Sequence, residues 1–558
     1  MSPAASRTGL VVHRAADLAT LADALVVGLR ETLPPDPMMP IDVVVQTGGV
    51  ARWLRERIAR SIDPAGRGIA ANVRLPFLGG VIAGLVAATE GRSVAGPAFD
   101  AAAASLPLAP SEPDPWAPER SVWSVLDLLE VGVEGTERIA ETLDLRAEGV
   151  LTRRSFELAR SIADVLDHYV VHAPGLLRAW ARGSDVAPDG SELDRRDRWQ
   201  PALWRALVGR LGDPVARFDA AVDVLASAAP LPPVLPSRLD LFGFEVVQER
   251  HLRLLIALGA RLPVHLHLVT ASPARWEATA AGAVPPAPRH PLLVASGRAA
   301  DRTIALVRGL DPAPREVVHA ASDHGAPARL LEVLRSGVRE DVELAGPDPP
   351  APHVLAPDDD SVRVHVCHGL TRQAEVLRDA LLGLMDRHPG LEPRDILIVS
   401  PDVEAAAVAL APAFSAVGHG ARLPIVVADR EIGHVNEVGA VLEELLALVP
   451  SRVTASQVID LLGRPVVTRA LGLEPGDLAR FVGWVEELGI RWGIDERHRA
   501  RQGQPAERAH TWRAGLDRLL LGVAMADEDD RVVADVTPYD HTVGDEVDRA
   551  GRFVRACE

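Results

Sequence analysis

The chain has 558 residues, 47 % of them hydrophobic, which is too long for one ordinary domain and reads as two to four. No apolar run approaches the ~20 residues of a membrane span, the N-terminus lacks the pattern of a secretory signal, and two cysteines make neither a disulfide framework nor a Cys-based zinc site. These features predict a cytoplasmic protein that does not use a membrane. The net charge is −18 and all 59 basic residues are arginine, so any nucleic-acid contact must come from a local Arg-rich groove and not from a global field. The absence of lysine also excludes a complete Walker-A ATPase site, which needs a Lys on the β- and γ-phosphates. It equally excludes the restriction-type nuclease site that sets a Lys beside its acidic metal ligands.

In chain order, LVVH (10–13) predicts a short strand, followed by a helix through Leu18, Leu21, Leu25 and Leu29. Prolines at 34, 35, 37 and 40 end it. A second strand, VVVQ (43–46), leads through Thr47-Gly48-Gly49 into an amphipathic helix carrying Val50, Trp53, Leu54, Ile58 and Ile62. Strand, glycine loop and helix form the frame on which a P-loop cradles phosphate, but this loop is too short and has no Gly-Lys-Ser/Thr ending. It has the shape of a nucleotide site without its chemistry.

Helices are expected over Leu78–Thr89, Ser121–Leu129, Thr136–Leu143 and from Arg153 to near His172, with another starting at Trp199. The segments at 96–118 and 230–236 read as a loop and a linker. LDLFGF (239–244), ERHLRLLIALG and PVHLHLV form a strand–helix–strand unit, the signature of a parallel sheet. Residues 272–291 read as loop. A composition break at 346–360 marks the best domain boundary, after which VRVHVCH, a helix, DILIVSP and LPIVVAD predict a fresh α/β unit. Helices dominate from Glu437 to Met525, and Asp527–Asp530 reads as a solvated acidic run.

The side-chain constellations are weak. His265 and His267 share one strand face, a spacing some metal sites use, but a lone pair without a third ligand is more often structural. Cys367-His368 reads as a small buried Cys beside a loop His. Glu486-Glu487 and Asp495-Glu496 follow no run of apolar strand residues and read as helix-surface and loop groups. Arg52, Arg55, Arg57 and Arg60 either face phosphates or form a solvated helix face. Trp53, Trp180, Trp199, Trp204, Trp484 and Trp492 are candidates for stacking on unpaired bases, although most sit at core spacing. No catalytic residue and no metal site is predicted.

VVVQTGGVARWL with GIAANVRLPF resembles the N-terminal signature of the RecC family, the gamma subunit of exodeoxyribonuclease V. FELARSIADVLDHYVVHAPGLLRAW, RWQPALWRALV, LFGFEVVQERHL, HPLLVASGR, VHVCHGLTRQAEVLRDALLGL, PRDILIVSPD, LPIVVADR, SRVTASQVIDLL, WVEELGIRWGID and HTWRAGLDRLLLG follow in the family's order. The resemblance covers Leu10 to about Met525. It implies an α/β, degenerate superfamily-1 helicase-like fold: P-loop NTPase-like parallel sheets with flanking helices and helical insertions, the nucleotide site lost. Residues 1–352 would form inactive domains 1A and 1B, 353–436 the start of 2A, and 437–558 a truncated, helical 2B-like region. Family members are about twice this length, so a nuclease-like C-terminal domain with its strand-separating pin is expected to lie outside this chain.

The resemblance further implies a non-catalytic DNA-binding subunit of an ATP-dependent helicase–nuclease acting on double-strand DNA ends. Its partners would be RecB-type and RecD-type subunits in a heterotrimer, with double-strand ends and single-stranded DNA as ligands. ATP and Mg2+ would be used by the partners and no cofactor bound by this chain. A Chi-scanning surface would fall on Gln46, Gly48, Arg52, Phe77, Asp164, Asp167 and His168, with Thr47, Gly48 and Gly49 as the degenerate nucleotide loop. Ala173, Ala83 and Arg52 depart from the family pattern (Arg, Trp and Gln there), so a different sequence, or none, would be read. The alternative is a stand-alone DNA-end-binding or scaffold protein without motor partners.

Overall fold

The computed structural model describes residues 9–33, 40–62, 68–91, 114–133, 153–228, 230, 238–281, 283–320, 329–343, 352, 354–415, 423–427, 436–525, 532–539, 544 and 546–557. The helix expected at 136–143 and the acidic run at 527–530 lie outside them, as do most of the segments at 96–118 and 230–236 and residues 346–351 and 353 of the break at 346–360. The chain divides into two compact units, Met1–Arg363 and Val364–Glu558.

The first unit is built on a six-stranded parallel sheet in the order β3-β2-β4-β5-β1-β6. Its elements begin with β1 (Gly9–Ala15), α1 (Leu18–Glu31), β2 (Ile41–Val44), α2 (Gly48–Ser61), β3 (Val73–Arg74) and α3 (Leu78–Thr89). A helical insertion follows: α4 (Pro118–Val131), α5 (Arg153–His172), α6 (Pro174–Ala181), α7 (Trp199–Leu211) and α8 (Pro214–Ala226). The chain returns to the sheet through β4 (Leu239–Phe244), α9 (Glu249–Gly259) and β5 (Pro263–Val269). It ends with α10 (Pro273–Ala278), α11 (Pro291–Ser296), α12 (Arg298–Arg308), β6 (Arg315–Val318) and α13 (Leu330–Glu340).

Central strands rich in Val, Leu and Phe bury both faces, as parallel sheets require. On one face Val12, Leu241, Val264 and Leu266 pack with Leu85 of α3, Phe218 of α8, Leu254 and Leu258 of α9 and Val307 of α12. On the other, Val43, Val45 and Phe242 meet Leu21 and Leu25 of α1 and Leu54 and Ile58 of α2. β4 carries a bulge between Phe242 and Phe244, where Gly243 takes φ +76°. A Cβ there would stand 3.2 Å from Leu18 Cδ1, so the position suits glycine on both counts. The insertion has its own core of Trp116, Leu129, Ala159, Leu166, Trp180, Trp204 and Leu207.

The second unit begins with α14 (Gly369–Arg387) and α15 (Val403–Ser415). Here the structure corrects the sequence reading. The segments expected as strands at 362–368, 395–401 and 423–427 carry no strand pairing, and Val364, Val366, Leu397 and Val399 are 82 % to 94 % exposed. Their β-branched character signals strand propensity, but a strand exists only where a neighbour takes its N–H and C=O groups, and among the described residues none does. Cys367 is half-buried and not in a core. In the first unit, the segment at 272–291 is not all loop: it contains α10, whose first turn starts on Pro273.

The remaining helices are α16 (Glu437–Leu448), α17 (Ala455–Leu462), α18 (Pro465–Ala470), α19 (Asp477–Glu487), α20 (Glu496–Arg501), α21 (Trp512–Ala524) and α22 (Glu546–Cys557). Phe481, Trp484, Ile490, Trp512, Leu519 and Phe553 form the core between them. No described helix is long and apolar enough to cross a membrane.

Candidate nucleic-acid interface at the carboxyl edge of the sheet

β2 ends at Val44, and Val45 continues it by a parallel bridge to Phe77, its N–H donating to the Pro76 carbonyl at 2.8 Å. This places Gln46–Gly49 and Phe77 side by side at the carboxyl edge of β2 and β3, the edge where open α/β sheets present ligand-binding loops. Thr47 caps α2 by accepting from Val50 N–H at 3.2 Å. Gln46, Thr47, Gly48 and Gly49 are all exposed. A Cβ built on Gly48 meets no atom within 4 Å, and one on Gly49 meets only Thr47 Oγ1 at 3.8 Å. The loop is open, and a base or phosphate can approach its backbone closely.

Arg52 lies one turn into α2, exposed, and Phe77 is 50 % exposed at the cap of α3. A large apolar ring at a loop mouth offers a stacking surface. Of the four arginines on α2, Arg57 is committed to Asp23 of α1 at 2.7 Å. Arg52 and Arg55 have no carboxylate partner among the described residues.

Asp164, Asp167 and His168 lie in the C-terminal half of α5. Arg160 holds Asp164 at 3.1 Å. The pKa of Asp167 is raised, first by loss of solvent and then by the Asp114 and Asp164 carboxylates, against the opposing pull of His168 and Arg250. The end of α5 is tied to the sheet's carboxyl edge, because Arg250 in the first turn of α9 donates to the Val170 carbonyl at 3.1 Å. That guanidinium also lies 4.0 Å over the Phe218 ring, and burial lowers its pKa to about 10. The expected residues therefore fall in two groups: Gln46 to Arg52 with Phe77 on the loops after β2 and β3, and the α5 group beside the helix that follows β4.

The histidine reading enlarges. His265 and His267 do share a face of β5, but β1 and the segment after β6 add two more imidazoles. His13 Nε2 lies 2.9 Å from His265 Nδ1, and its Nδ1 lies 3.0 Å from His319 Nε2. His13 also stacks on His267 at 4.5 Å, and His267 Nε2 meets the buried Asp240 carboxylate at 3.1 Å. Loss of solvent, reinforced by the neighbouring imidazoles, pushes His13 down to about 3, and burial beside Arg238 pushes His265 down to about 4. Burial alone would raise Asp240, but His267 and Arg238 outweigh it and hold the carboxyl down to about 2. Among the described residues, no group of three or more His, Cys, Asp or Glu is arranged to hold a metal ion. Residues 13, 265 and 319 meet only through parallel pairing, a contact that no local pattern announces.

The tryptophans divide by burial. Trp180, Trp204 and Trp484 are core residues, Trp53 stacks on Phe242 at 6.2 Å, and Trp199 packs against the insertion's core. Trp492 is half-buried among arginines. Glu486 and Glu487 lie on α19, and Asp495 caps α20.

Residues 10–339 match the family described as RecC, N-terminal domain, and residues 435–558 match the RecBCD enzyme subunit RecC fourth domain. The RecBCD enzyme subunit RecC of Mycobacterium tuberculosis (strain ATCC 25618 / H37Rv) is 33 % identical over 578 aligned residues, covering 98 % of this chain and 49 % of that protein. The subunit of Mycolicibacterium smegmatis is 32 % identical over the same shares. That of Escherichia coli (strain K12) is 28 % identical, covering 92 % of this chain and 48 % of its own length. The chain thus spans about half the length of these relatives. Because the first family pattern alone accounts for more than half of its residues, the chain belongs to the RecC family.

Proposed function

We propose that this chain is a non-catalytic, strand-guiding subunit of a RecBCD-type enzyme that unwinds and degrades double-strand DNA ends during recombinational repair. RecB-type and RecD-type partners would supply ATP hydrolysis, Mg2+ chemistry and nuclease action. The chain would dock them and lead separated strands past the carboxyl edge of the sheet. In this reading residues 1–352 are helicase-like domains 1A and 1B without a nucleotide site, 353–436 begin 2A, and 437–558 belong to 2B.

The observation that carries the proposal is the β2–Thr47-Gly48-Gly49–α2 unit: an open glycine loop on a parallel sheet, in a chain without a single lysine. Such a loop keeps backbone N–H groups and a helix N-terminus near a passing strand while lacking the cation that grips the β- and γ-phosphates. Gln46, Gly48, Arg52 and Phe77, with Asp164, Asp167 and His168 of α5, are the surface that would meet single-stranded DNA and read a Chi-like sequence. Each base-reading side chain lost there would remove about 1–3 kcal/mol of discrimination.

The test is co-purification and ATP turnover. The purified chain should show no ATPase activity of its own and should assemble with matched RecB-type and RecD-type subunits. An ATPase intrinsic to the chain would overturn the reading. DNA-end binding without partner assembly would favour the stand-alone scaffold.

A further inference from the structure

A second basic, aromatic surface lies in the α16–α22 unit, apart from the residues discussed above. Residues 491–493 run against 452–454: Thr454 and Trp492 form an antiparallel bridge, and Gly493 N–H donates to the Arg452 carbonyl at 2.9 Å. α20 folds back over this ribbon. Gln502, just past its end, donates to the Pro450 and Ser451 carbonyls at 3.3 and 3.2 Å. Gly493 has φ +85° and lets Arg499 Cγ come within 3.1 Å of where a Cβ would stand. The result is a fixed bed for one aromatic ring. Arg499 lies 4.5 Å from the Trp492 centroid and Arg452 lies 5.5 Å from it, both within cation–π range.

The arginines around this ring differ from the unit's paired ones. Arg464, Arg480, Arg508, Arg549 and Arg552 all pair with carboxylates. Arg452, Arg491, Arg497 and Arg501 are exposed and have no ion pair among the described residues. Arg497 and Arg501 stand four residues apart on α20 and therefore share a face. Arg499 is 94 % buried with its Nε unpaired, and its guanidinium is held by the ring and by the Trp492 carbonyl, to which Nη2 donates at 3.3 Å, and not by an acid. Of the two acids on this segment, Asp495 spends its carboxylate capping the His498 N–H at 2.7 Å, which leaves Glu496 in the first turn of α20 as the one carboxylate there set against four guanidiniums. In a chain of net charge −18, four unneutralised guanidiniums around a half-buried indole form a local anion-attracting surface with a π component.

We infer that the Trp492 platform, with Arg452, Arg491, Arg497 and Arg501, docks the phosphate backbone of single-stranded DNA. The inference rests on the strand-guiding reading and extends it to residues of the second unit. Guanidinium forks match phosphate oxygens in pairs, and an indole tolerates any base, so the surface is suited to a strand of arbitrary sequence. An acidic protein segment would use the arginines but not the ring, which makes it the competing outcome.

The experiment is fluorescence anisotropy of labelled oligothymidylate against the full chain across a salt series, comparing the wild type with R497E/R501E. Both positions are exposed helix sites, and R497Q/R501Q with a far-UV spectrum checks that the fold is kept. Each phosphate contact on a single strand contributes about 0.7 to the salt slope, so the double variant should lower it by about 1.4 and weaken binding at low salt at least about tenfold. An unchanged slope and affinity in a variant that still folds would overturn the platform while leaving strand guidance by the sheet edge intact. Loss of poly-glutamate binding with oligothymidylate binding retained would also overturn it, as a protein-docking surface. A wild-type chain that binds no oligothymidylate even at low salt would overturn both this inference and the reading beneath it.

Discussion

Asp477 sits at the start of α19 with no exposed surface and receives four hydrogen bonds: Arg549 Nε at 2.8 Å, Arg552 Nε and Nη2 at 2.8 and 3.1 Å, and Glu474 N–H at 2.9 Å. It ties α19 to α22 beside a second ion pair, Arg480 with Glu546 at 2.9 Å. Replacing it by Asn keeps the shape and an acceptor for the Glu474 N–H but leaves Arg549 without its counter-charge and Arg552 with only the Glu474 carboxylate, at 3.6 Å. Breaking a buried pair costs about 3–5 kcal/mol. Here the arginines keep 30 % and 19 % of their side-chain exposure, which puts the expected loss near the lower end, about 3 kcal/mol. If α22 opens as a cooperative unit, that is roughly a hundredfold faster amide exchange across 546–557 at fixed pH. The assay is hydrogen exchange read by peptide mass, with 263–269 of β5 as the internal reference.

The same group sets an acid dependence. Burial alone would raise its pKa, but Arg552, the Glu474 N–H and Arg549 outweigh this and hold it down to about 2, below its ordinary 3.8. A depressed carboxyl stabilises the fold above the unfolded value and stops doing so as pH falls through the folded one, so the tie should hold to about pH 4 and fail toward pH 2. Asp477→Asn should lack that step. Unchanged exchange in 546–557 for the variant would refute the reasoning, because the arginines would then be satisfied without the acid.

Three further outcomes are expected. A Cβ on Gly522 would stand 1.9 Å from the Tyr539 carbonyl oxygen, so Gly522→Ala must push residues 532–539 off α21 and cost about 1–3 kcal/mol, measured as a lower urea midpoint. His13 and His265 have folded pKa values lowered to about 3 and about 4, so the unfolded chain takes up protons first as pH falls. Their contribution is complete above about pH 6.5 and is lost toward pH 4. Together they should remove about 3–4 kcal/mol between pH 7 and 5, an effect flattened in H13Q/H265Q. Asp240, Arg238, His267, His319 and Arg315 face the pair and should be intact in both proteins. Gly48→Ala and Gly49→Ala meet open space and should shift stability by less than about 1 kcal/mol, with ATP turnover at background before and after. A turnover that disappears on replacing Gly48 by Trp would contradict the lost-site account.

What was legible in the sequence follows from range. α5 ends at His172, β4 spans Leu239–Phe244 and α9 spans Glu249–Gly259, as read, because periodicity and flanking Pro or Gly fix them locally. β6 was missed because an edge strand of four residues, exposed at Arg315 and Glu316, carries almost no apolar pattern. The extended segments at 362–368 and 395–401 show the reverse case, strand chemistry without a partner. His13 and His319 escaped notice because they lie 252 and 54 positions from His265, and only register brings them together. Trp492 stands in the sequence as one of six stacking candidates, because spacing alone does not separate a core ring from one bedded among unpaired arginines.

The central claim is that this chain guides strands for motors it does not contain. It is tested most directly by ATP-dependent degradation of linear duplex DNA by matched RecB-type and RecD-type subunits, with and without this chain and its full-length relative. The account predicts that adding the chain raises processive degradation while its own ATPase stays at background. A gain with the full-length relative alone would assign the activity to the half of those proteins that this chain does not span. No gain from either would contradict the account.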